Sequence, residues 1–183
     1  MDYFIDVTIR PDAEMRENVL LNKVYTKLHK ALFLIKSTGI GVSFPNYNVT
    51  LGRVLRIHGS QSQLAKLQET LWLGGLSGYC DVTEARLVPS GCQYRTVSRK
   101  QATMSLAKLR RLMNRGSITP QETKAYKAKM FDQGLDNPYL ELESVSNGHM
   151  HRRYLEFSKL SEDKVSGDFD YFGLSRIATV PWF

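Results

Sequence analysis

Hydrophobic and polar positions in the first half of the chain follow the periods of strands and helices. The alternation typical of a strand covers residues 2–10, 40–44, 51–58 and 79–88. The helical period covers residues 14–36. The helical period returns in a shorter segment, which begins at a cap at Ser60 or Ser62 and ends at residues 74–75. Its predicted buried face consists of Leu64, Leu67 and Leu71. The resulting order, β-α-β-β-α-β, predicts a ferredoxin-like (RRM-like) domain.

The pattern changes after Pro89. A helix is predicted between an N-cap at Ser105 and Gly116, with an apolar stripe of Leu106, Leu109, Leu112 and Met113. A second helix begins at a capping box, residues 119–122, and runs to about residue 133. Strands are predicted at residues 139–146 and 150–157 around a hairpin turn at 147–148, with a third candidate at 169–175 and an apolar end at 180–183. The fold class is therefore α+β, with one domain at residues 1–91 and a second α+β half at 92–183.

The positive charge of the chain is concentrated in one stretch, from Tyr94 to Arg115. No acidic residue lies between Glu84 and Glu122. The chain has 25 Lys and Arg against 18 Asp and Glu, so the net charge of +7 equals the number of basic residues in this stretch. These residues are Arg95, Arg99, Lys100, Lys108, Arg110, Arg111 and Arg115. An ordinary solvated helix face usually mixes charges of both signs, so a face of one sign indicates a polyanionic partner.

The remaining composition narrows the class of protein. A hydrophobic fraction of 42% in 183 residues is enough for a packed core. Cys80 and Cys92 form no CxxC motif, and no signal peptide or membrane-spanning run is present, so the expected compartment is the reducing cytoplasm. Phosphate-binding glycine loops, HExxH and GxSxG are absent from the sequence, so no cofactor is expected. A nuclease of this composition would work without metal, and would therefore use the 2′-hydroxyl of RNA as its nucleophile.

Two segments offer candidate catalytic groups. His29 lies at the polar border of the first predicted helix, and histidine can accept a proton from a hydroxyl near neutral pH. The alternative is an ordinary surface or interface histidine. Ser144 and Ser146 share one side of a predicted strand, where they could orient a ribose hydroxyl or a phosphate oxygen. His149 and His151 share a strand face, but no carboxylate or cysteine accompanies them, so a metal site is disfavoured.

Several motifs together resemble one family. They are MDYFIDVTIRPD at the start, KLHKAL around His29, GIGVSFP at 39–45, LRIH at 55–58, YRTVSRKQA at 94–102, and FGLS with VPWF at the end. In this combination and order the chain resembles the CRISPR-associated endoribonuclease of the type I-F (Ypest) subtype, the pre-crRNA processing enzyme. The resemblance covers the chain from its first residue to its last.

The resemblance implies a catalytic first domain and an RNA-binding second half with an arginine-rich helix in the major groove of a repeat hairpin. It implies metal-independent cleavage at the 3′ base of the stem, leaving a 2′,3′-cyclic phosphate and a 5′-hydroxyl. His29 would be the general base, Ser144 would hold the 2′-hydroxyl, and Ser146 would assist. Phe172 stands where the best-known members have tyrosine.

The resemblance also implies a set of RNA contacts. Arg99 and Gln101 would read bases low in the stem, and His151 would stack on the terminal base pair. The other implied contacts are Arg95 in the shared motif and the helix residues Lys108, Arg110, Arg111 and Arg115. The implied partners are the CRISPR repeat hairpin, which the enzyme keeps bound after cutting, and other subunits of the type I-F surveillance complex. No membrane partner is implied.

Two other classes of function are open on the sequence. A non-catalytic RNA-binding module would need the basic stretch and leave His29 as an ordinary helix residue. A DNA-binding protein would use the same helix on a different polyanion. Cleavage in EDTA distinguishes the enzyme, and discrimination by the 2′-hydroxyl distinguishes RNA from DNA.

Overall fold

The structure is a computed structural model that describes residues 1–101, 106–132, 136–143 and 148–183. The predicted helix cap Ser105, the candidate catalytic residues Ser144 and Ser146, and the turn residue Asn147 lie outside the described residues. The described part of the chain contains no helix that is both long and apolar enough to span a membrane.

An antiparallel sheet of five strands forms one layer of the first half. Its strands are β1 (Tyr3–Ile9), β2 (Gly41–Ser43), β3 (Val54–Gly59), β4 (Cys80–Val82) and β5 (Arg86–Leu87). The order is β2-β3-β1-β4. Strand β4 pairs with the C-terminal end of β1, and β5 pairs with its N-terminal end. The single strand predicted at residues 79–88 is therefore wrong in detail, because two short strands, β4 and β5, occupy this region.

Two helices complete this half, α1 (Glu17–Leu34) and α2 (Gln61–Glu69). The inward stripe of α1 includes Leu21, Val24, Leu28 and Leu32, as its apolar period predicted. Ser60 caps α2: its hydroxyl accepts a hydrogen bond from the Gln63 amide, and the Gln63 side chain accepts one from the Ser60 amide.

The prediction that Leu71 is buried is wrong. The side chain is 81% exposed, because α2 ends at Glu69 and Leu71 takes a positive φ of 48°. A 3-10 helix, Gly74–Tyr79, then leads into β4.

In the second half, the described residues form two helices and the remaining strands. These are β6 (Gln93–Arg95), β7 (Val97–Lys100), α3 (Leu106–Asn114), α4 (Pro120–Asp132), β8 (Tyr139–Glu143), β9 (Met150–Phe157) and β10 (Val180–Trp182). Strands β7, β9 and β8 form an antiparallel sheet in that order, and β10 pairs with β6. The predicted capping box of α4 is present, since Thr119 and Glu122 exchange hydrogen bonds at 2.8 Å and 3.2 Å. The fold is thus α+β, with antiparallel sheets.

One hydrophobic core joins the two halves. It contains Val24 and Leu28 of α1, Leu140 of β8 and Leu155 of β9. This packing places one border of α1 against the sheet of the second half. It also brings residues 169–175 alongside, where they form a turn, so the third strand predicted at these residues is wrong.

Candidate active site and nucleic-acid interface

His29 is the half-buried residue at which α1, β9 and the 169–175 turn meet. Its ring stacks on Phe172, with centroids 3.6 Å apart and planes inclined by 8°. Its Nδ1 atom lies 2.8 Å from the carbonyl oxygen of Tyr171. The imidazole is therefore fixed in both position and rotation by residues far away in the sequence.

The contact with Tyr171 decides which nitrogen of His29 is free. A carbonyl oxygen only accepts hydrogen bonds, so Nδ1 carries the proton and donates it. In the neutral ring, the lone pair is then on Nε2. Burial lowers the pKa of His29, as do the positive charges of Arg153 and Lys30, while the hydrogen bond to Tyr171 and the charge of Asp170 act in the opposite direction. The net effect favours the neutral imidazole, which is the form that can act as a base.

The turn that carries Phe172 is fixed by Asp170. Its Oδ1 atom accepts hydrogen bonds from the amides of Phe172 and Leu174, both at 2.9 Å. Gly173 has φ of +70°, and its carbonyl oxygen accepts a hydrogen bond from the Val42 amide of β2 at 3.0 Å. A Cβ atom at Gly173 would lie 2.7 Å from Val42 Cγ1, so only glycine fits here without displacement.

Tyr25 links this turn to α1. It is fully buried, and its hydroxyl donates a hydrogen bond of 2.6 Å to the carbonyl oxygen of Phe172. Burial raises the pKa of Tyr25, so the hydroxyl keeps the proton that it donates. The backbone on both sides of the Tyr171–Phe172 bond is thus held by side chains of one helix, Tyr25 and His29.

A cavity of about 160 Å³ opens beside the imidazole. Its lining is Thr26, His29, Lys30, Leu142, Glu143, His151, Arg153 and Phe172. The structure therefore brings together His29 and His151, two of the residues that the sequence predicted. The strand β8 that leads toward Ser144 and Ser146 borders the same cavity at Glu143, but both serines lie outside the described residues, and their roles stay predictions.

A second cavity, of about 650 Å³, lies at the C-terminal end of β9. Arg99 and Gln101 both line it, together with Glu156, Phe157 and Arg176 among others. Arg99 pairs with Leu155, four positions along β9 from His151. At about 3.3 Å per residue, roughly 13 Å separates these two positions of β9.

Arg95 makes its contacts inside the protein. Its guanidinium donates to the carbonyl oxygen of Ser158 and, at 2.9 Å, to the hydroxyl of Tyr47. It also lies over the rings of Trp182 and Phe157, 4.7 Å and 5.6 Å from their centroids. These contacts join β6, β10 and β9, which gives Arg95 a structural role, and its predicted contact with RNA stays a prediction.

The basic residues of α3 are on the surface. Leu109 is the buried anchor of this helix, whereas Leu106 and Met113 of the predicted apolar stripe are exposed. The cationic residues Lys108, Arg110, Arg111 and Arg115 are all exposed. Within the described residues, no group of three or more His, Cys, Asp or Glu side chains has an arrangement that could hold a metal ion.

Arg153 and the turn at residues 169–175 that Asp170 fixes were not predicted from the sequence, although a signal for each was present. Arg152 and Arg153 are consecutive in a predicted strand, so their side chains point to opposite faces and one of them had to face inward. Asp170 followed three residues later by Gly173 is a turn pattern, since aspartate bonds to nearby amides and glycine allows a positive φ.

Two curated relatives match the whole chain. It is 34% identical over 184 residues to the "CRISPR-associated endonuclease Cas6/Csy4" of Escherichia coli (strain UTI89 / UPEC), with 100% of both chains covered. It is 36% identical over 187 residues to the protein of the same name from Pseudomonas aeruginosa (strain UCBPP-PA14), again with 100% of both covered.

Two solved structures are more distant. One is described as "Structure A of CRISPR endoribonuclease Cse3 bound to 19 nt RNA", with 14% identity and a TM-score of 0.36. The other, a Thermus thermophilus Cse3 bound to an RNA representing a pre-cleavage complex, has 13% identity and a TM-score of 0.37. Each alignment covers 99% of this chain and 100% of the other, and scores this low assign neither fold nor function.

The model of the Cas_Csy4 family matches residues 4–183, which is nearly the entire sequence. Together with two full-length relatives above 30% identity, this match means that the chain belongs to the Cas_Csy4 family of CRISPR-associated proteins.

Proposed function

We propose that this protein is a metal-independent endoribonuclease that binds the CRISPR repeat hairpin and cleaves pre-crRNA at the 3′ base of the stem. The products would be a 2′,3′-cyclic phosphate and a 5′-hydroxyl, and the protein would keep the hairpin. Membership of a family of CRISPR-associated proteins supports this class of activity, as do the two relatives named as CRISPR-associated endonucleases.

The observation that carries this proposal is the arrangement of His29. Its Nδ1–H is held by the Tyr171 carbonyl, which leaves the lone pair on Nε2, and His29 lines a cavity. In the proposed reaction Nε2 accepts the proton of the 2′-hydroxyl. The 2′-oxygen bonds to phosphorus while the bond from phosphorus to the 5′-oxygen of the next nucleotide breaks, and that oxygen takes a proton from solvent. Such base catalysis contributes about 10²–10⁴-fold to a rate.

The rest of the chain would position the RNA. The strand order β2-β3-β1-β4 with two helices supports a ferredoxin-like first domain at residues 1–91. The half at 92–183 would supply the RNA contacts. The residues of α3 would enter the major groove from an accessible end of the stem, because the major groove of A-form RNA is too deep and narrow for side chains elsewhere.

Base reading would take place in the 650 Å³ cavity of Arg99 and Gln101. Arginine makes bidentate contacts to guanine, which suits it to this role. His151 in the smaller cavity would stack near the cut, and Ser144 and Ser146 would orient the 2′-hydroxyl. Subunits of the type I-F surveillance complex are the proposed protein partners.

The test is cleavage of the cognate repeat RNA in EDTA, beside the same RNA with one 2′-deoxy nucleotide before the cut. Cleavage of the first, with binding but no cleavage of the second, is the expected result. His29→Ala should slow cleavage by about 10²-fold or more and keep hairpin affinity nearly unchanged, because the imidazole acts on the reaction and not on the stem.

Each alternative predicts a different result in the same assay. All-ribose RNA that is bound but remains whole would indicate a non-catalytic RNA-binding module. Equal affinity for a DNA hairpin would indicate a DNA-binding protein. Efficient cleavage by His29→Ala would remove His29 from the reaction even if the protein is a nuclease.

A further inference from the structure

Arg153 occupies a position that ordinarily belongs to an apolar residue. It lies in β9 opposite Leu140 and two positions from Leu155, both of which are fully buried. Only 7% of Arg153 is exposed. In the described part of the chain, no other lysine, arginine, aspartate or glutamate is buried to this extent.

Arg153 forms no ion pair with a described acidic residue, and the negative charge of Asp170 acts on it only from beyond ion-pair distance. Its Nε–H has no hydrogen-bond acceptor among the described residues. A buried cationic donor without an acceptor is costly, so an arginine at such a place needs a compensating role. Burial correspondingly lowers the pKa of Arg153.

The guanidinium lies across one aromatic ring from the candidate base. Its Cζ atom is 3.6 Å from the centroid of Phe172, and the His29 ring is stacked 3.6 Å from the same centroid. Two groups this close to one centroid must lie on opposite faces. The guanidinium carbon is then no farther from the imidazole centroid than twice 3.6 Å.

Both groups line the cavity of about 160 Å³. That volume is several times the 10–15 Å³ or so that a single water needs, so a larger polar group fits. A planar guanidinium can donate two parallel hydrogen bonds to the oxygens of a phosphate, because its N–H groups match their spacing. Attack of a 2′-hydroxyl on its own 3′-phosphate uses a base for the hydroxyl proton and is accelerated by a positive group at the charge that develops on the phosphate. The structure places one candidate for each role on the two sides of the Phe172 ring.

We propose that Arg153 binds a non-bridging oxygen of the scissile phosphate and stabilises the negative charge that builds up there during cleavage. This assignment rests on the proposed endoribonuclease function. Phe172 then serves as the spacer that keeps base and cation apart, so that the imidazole contacts the 2′-oxygen while the guanidinium contacts the phosphate.

The assignment predicts that Arg153 contributes to the reaction and little to stability. Replacing a buried charge by an apolar residue of similar size is often neutral or stabilising. Arg153→Met and Arg153→Leu should therefore unfold at or above the wild-type denaturant midpoint, while both cleave at least 10²-fold more slowly. Arg152→Met is the matched control, since Arg152 is the next residue of β9, is exposed, and pairs with Glu141 at 3.1 Å.

The decisive experiment uses repeat RNA with a single phosphorothioate at the cut, each diastereomer assayed separately in single-turnover cleavage with saturating enzyme. Wild type and Arg152→Met should cleave one diastereomer much more slowly than the all-oxygen RNA. Arg153→Met and Arg153→Leu should lose most of that difference, because the oxygen that sulfur replaces no longer has its ligand. Arg153→Lys should recover part of the all-oxygen rate.

Several results would overturn the assignment. One is cleavage by Arg153→Met or Arg153→Leu within threefold of the wild-type rate. Another is a slower rate with the diastereomer difference unchanged, or unfolding of both variants under assay conditions, each of which would make Arg153 a structural residue. If wild type fails to cleave the all-oxygen RNA at all, the failure belongs to the proposed function.

Discussion

Gly173→Ala tests whether the Asp170 turn is what holds the candidate base in place. Gly173 has φ of +70°, and an alanine Cβ would lie 2.7 Å from Val42 Cγ1 and 3.3 Å from the Val42 amide nitrogen. The left-handed conformation costs alanine about 1–2 kcal/mol. Overpacking against Val42 adds about 1–3 kcal/mol, so the expected loss of unfolding free energy is about 2–5 kcal/mol.

Gly91→Ala separates the two contributions. Gly91 has nearly the same φ, +73°, but nothing lies within 4 Å of its Cβ position. Denaturant unfolding should therefore show only the conformational cost for Gly91→Ala, and an additional loss of about 1–3 kcal/mol for Gly173→Ala. Equal losses for the two variants would refute the steric argument.

The same pair of variants tests the connection to catalysis. Gly173→Ala must push the turn away from β2, and the turn carries both the Tyr171 carbonyl and the Phe172 ring that fix His29. At a temperature where both variants are folded, Gly173→Ala should cleave more slowly than Gly91→Ala with similar hairpin affinity. Equal single-turnover rates would show that the turn does not position the base.

Two further predictions concern the base and the RNA contacts. Cleavage should decline as the pH falls through a midpoint below 6.5, the ordinary pKa of histidine, because only unprotonated His29 accepts a proton. Arg153→Met should raise this midpoint, because it removes a positive charge that lowers the pKa of His29. A wild-type midpoint above 6.5 in a pH–rate profile would contradict this. Arg99→Ala should weaken hairpin binding by about 1–3 kcal/mol and relax base preference. Arg95→Met should lower the denaturant midpoint, because the contacts of Arg95 join β6, β10 and β9. Unchanged affinity and base preference for Arg99→Ala in RNA titrations, or an unchanged denaturant midpoint for Arg95→Met, would refute these roles.

Local features of the chain were the most predictable from sequence. The helix containing His29, the capping box at residues 119–122 and the strand from Met150 to Phe157 all occur where the sequence predicted them, and of the two serines offered as the cap of α2 the structure uses Ser60. Each depends on neighbours within a few residues, since caps and periodicities act over one turn of helix or a short run of strand. The errors also have local causes. Leu71 fits the helical period, but its positive φ places it beyond the helix end.

The candidate site was only partly predictable for the opposite reason. His29 could be placed at the border of a helix, but its hydrogen-bond partner Tyr171 is 142 residues away in the sequence. Arg153 and Leu155 follow the same strand alternation, and nothing in that alternation shows that the face of Arg153 packs on Phe172. Such contacts depend on which elements the core brings together.

The sequence by itself determined the positions of helices α1–α4 and of strands such as β1, β3 and β9, the concentration of positive charge between residues 94 and 115, and a histidine at a helix border. The tertiary structure decided which nitrogen of that histidine is free, which cation lies across the Phe172 ring from it, and that Arg95 bonds to groups of the protein itself. The physical reason is the distance along the sequence over which each interaction acts. Periodicity and capping record the interactions of near neighbours, whereas the direction of a lone pair and the burial of a charge are set by side chains that meet only when the whole core is packed.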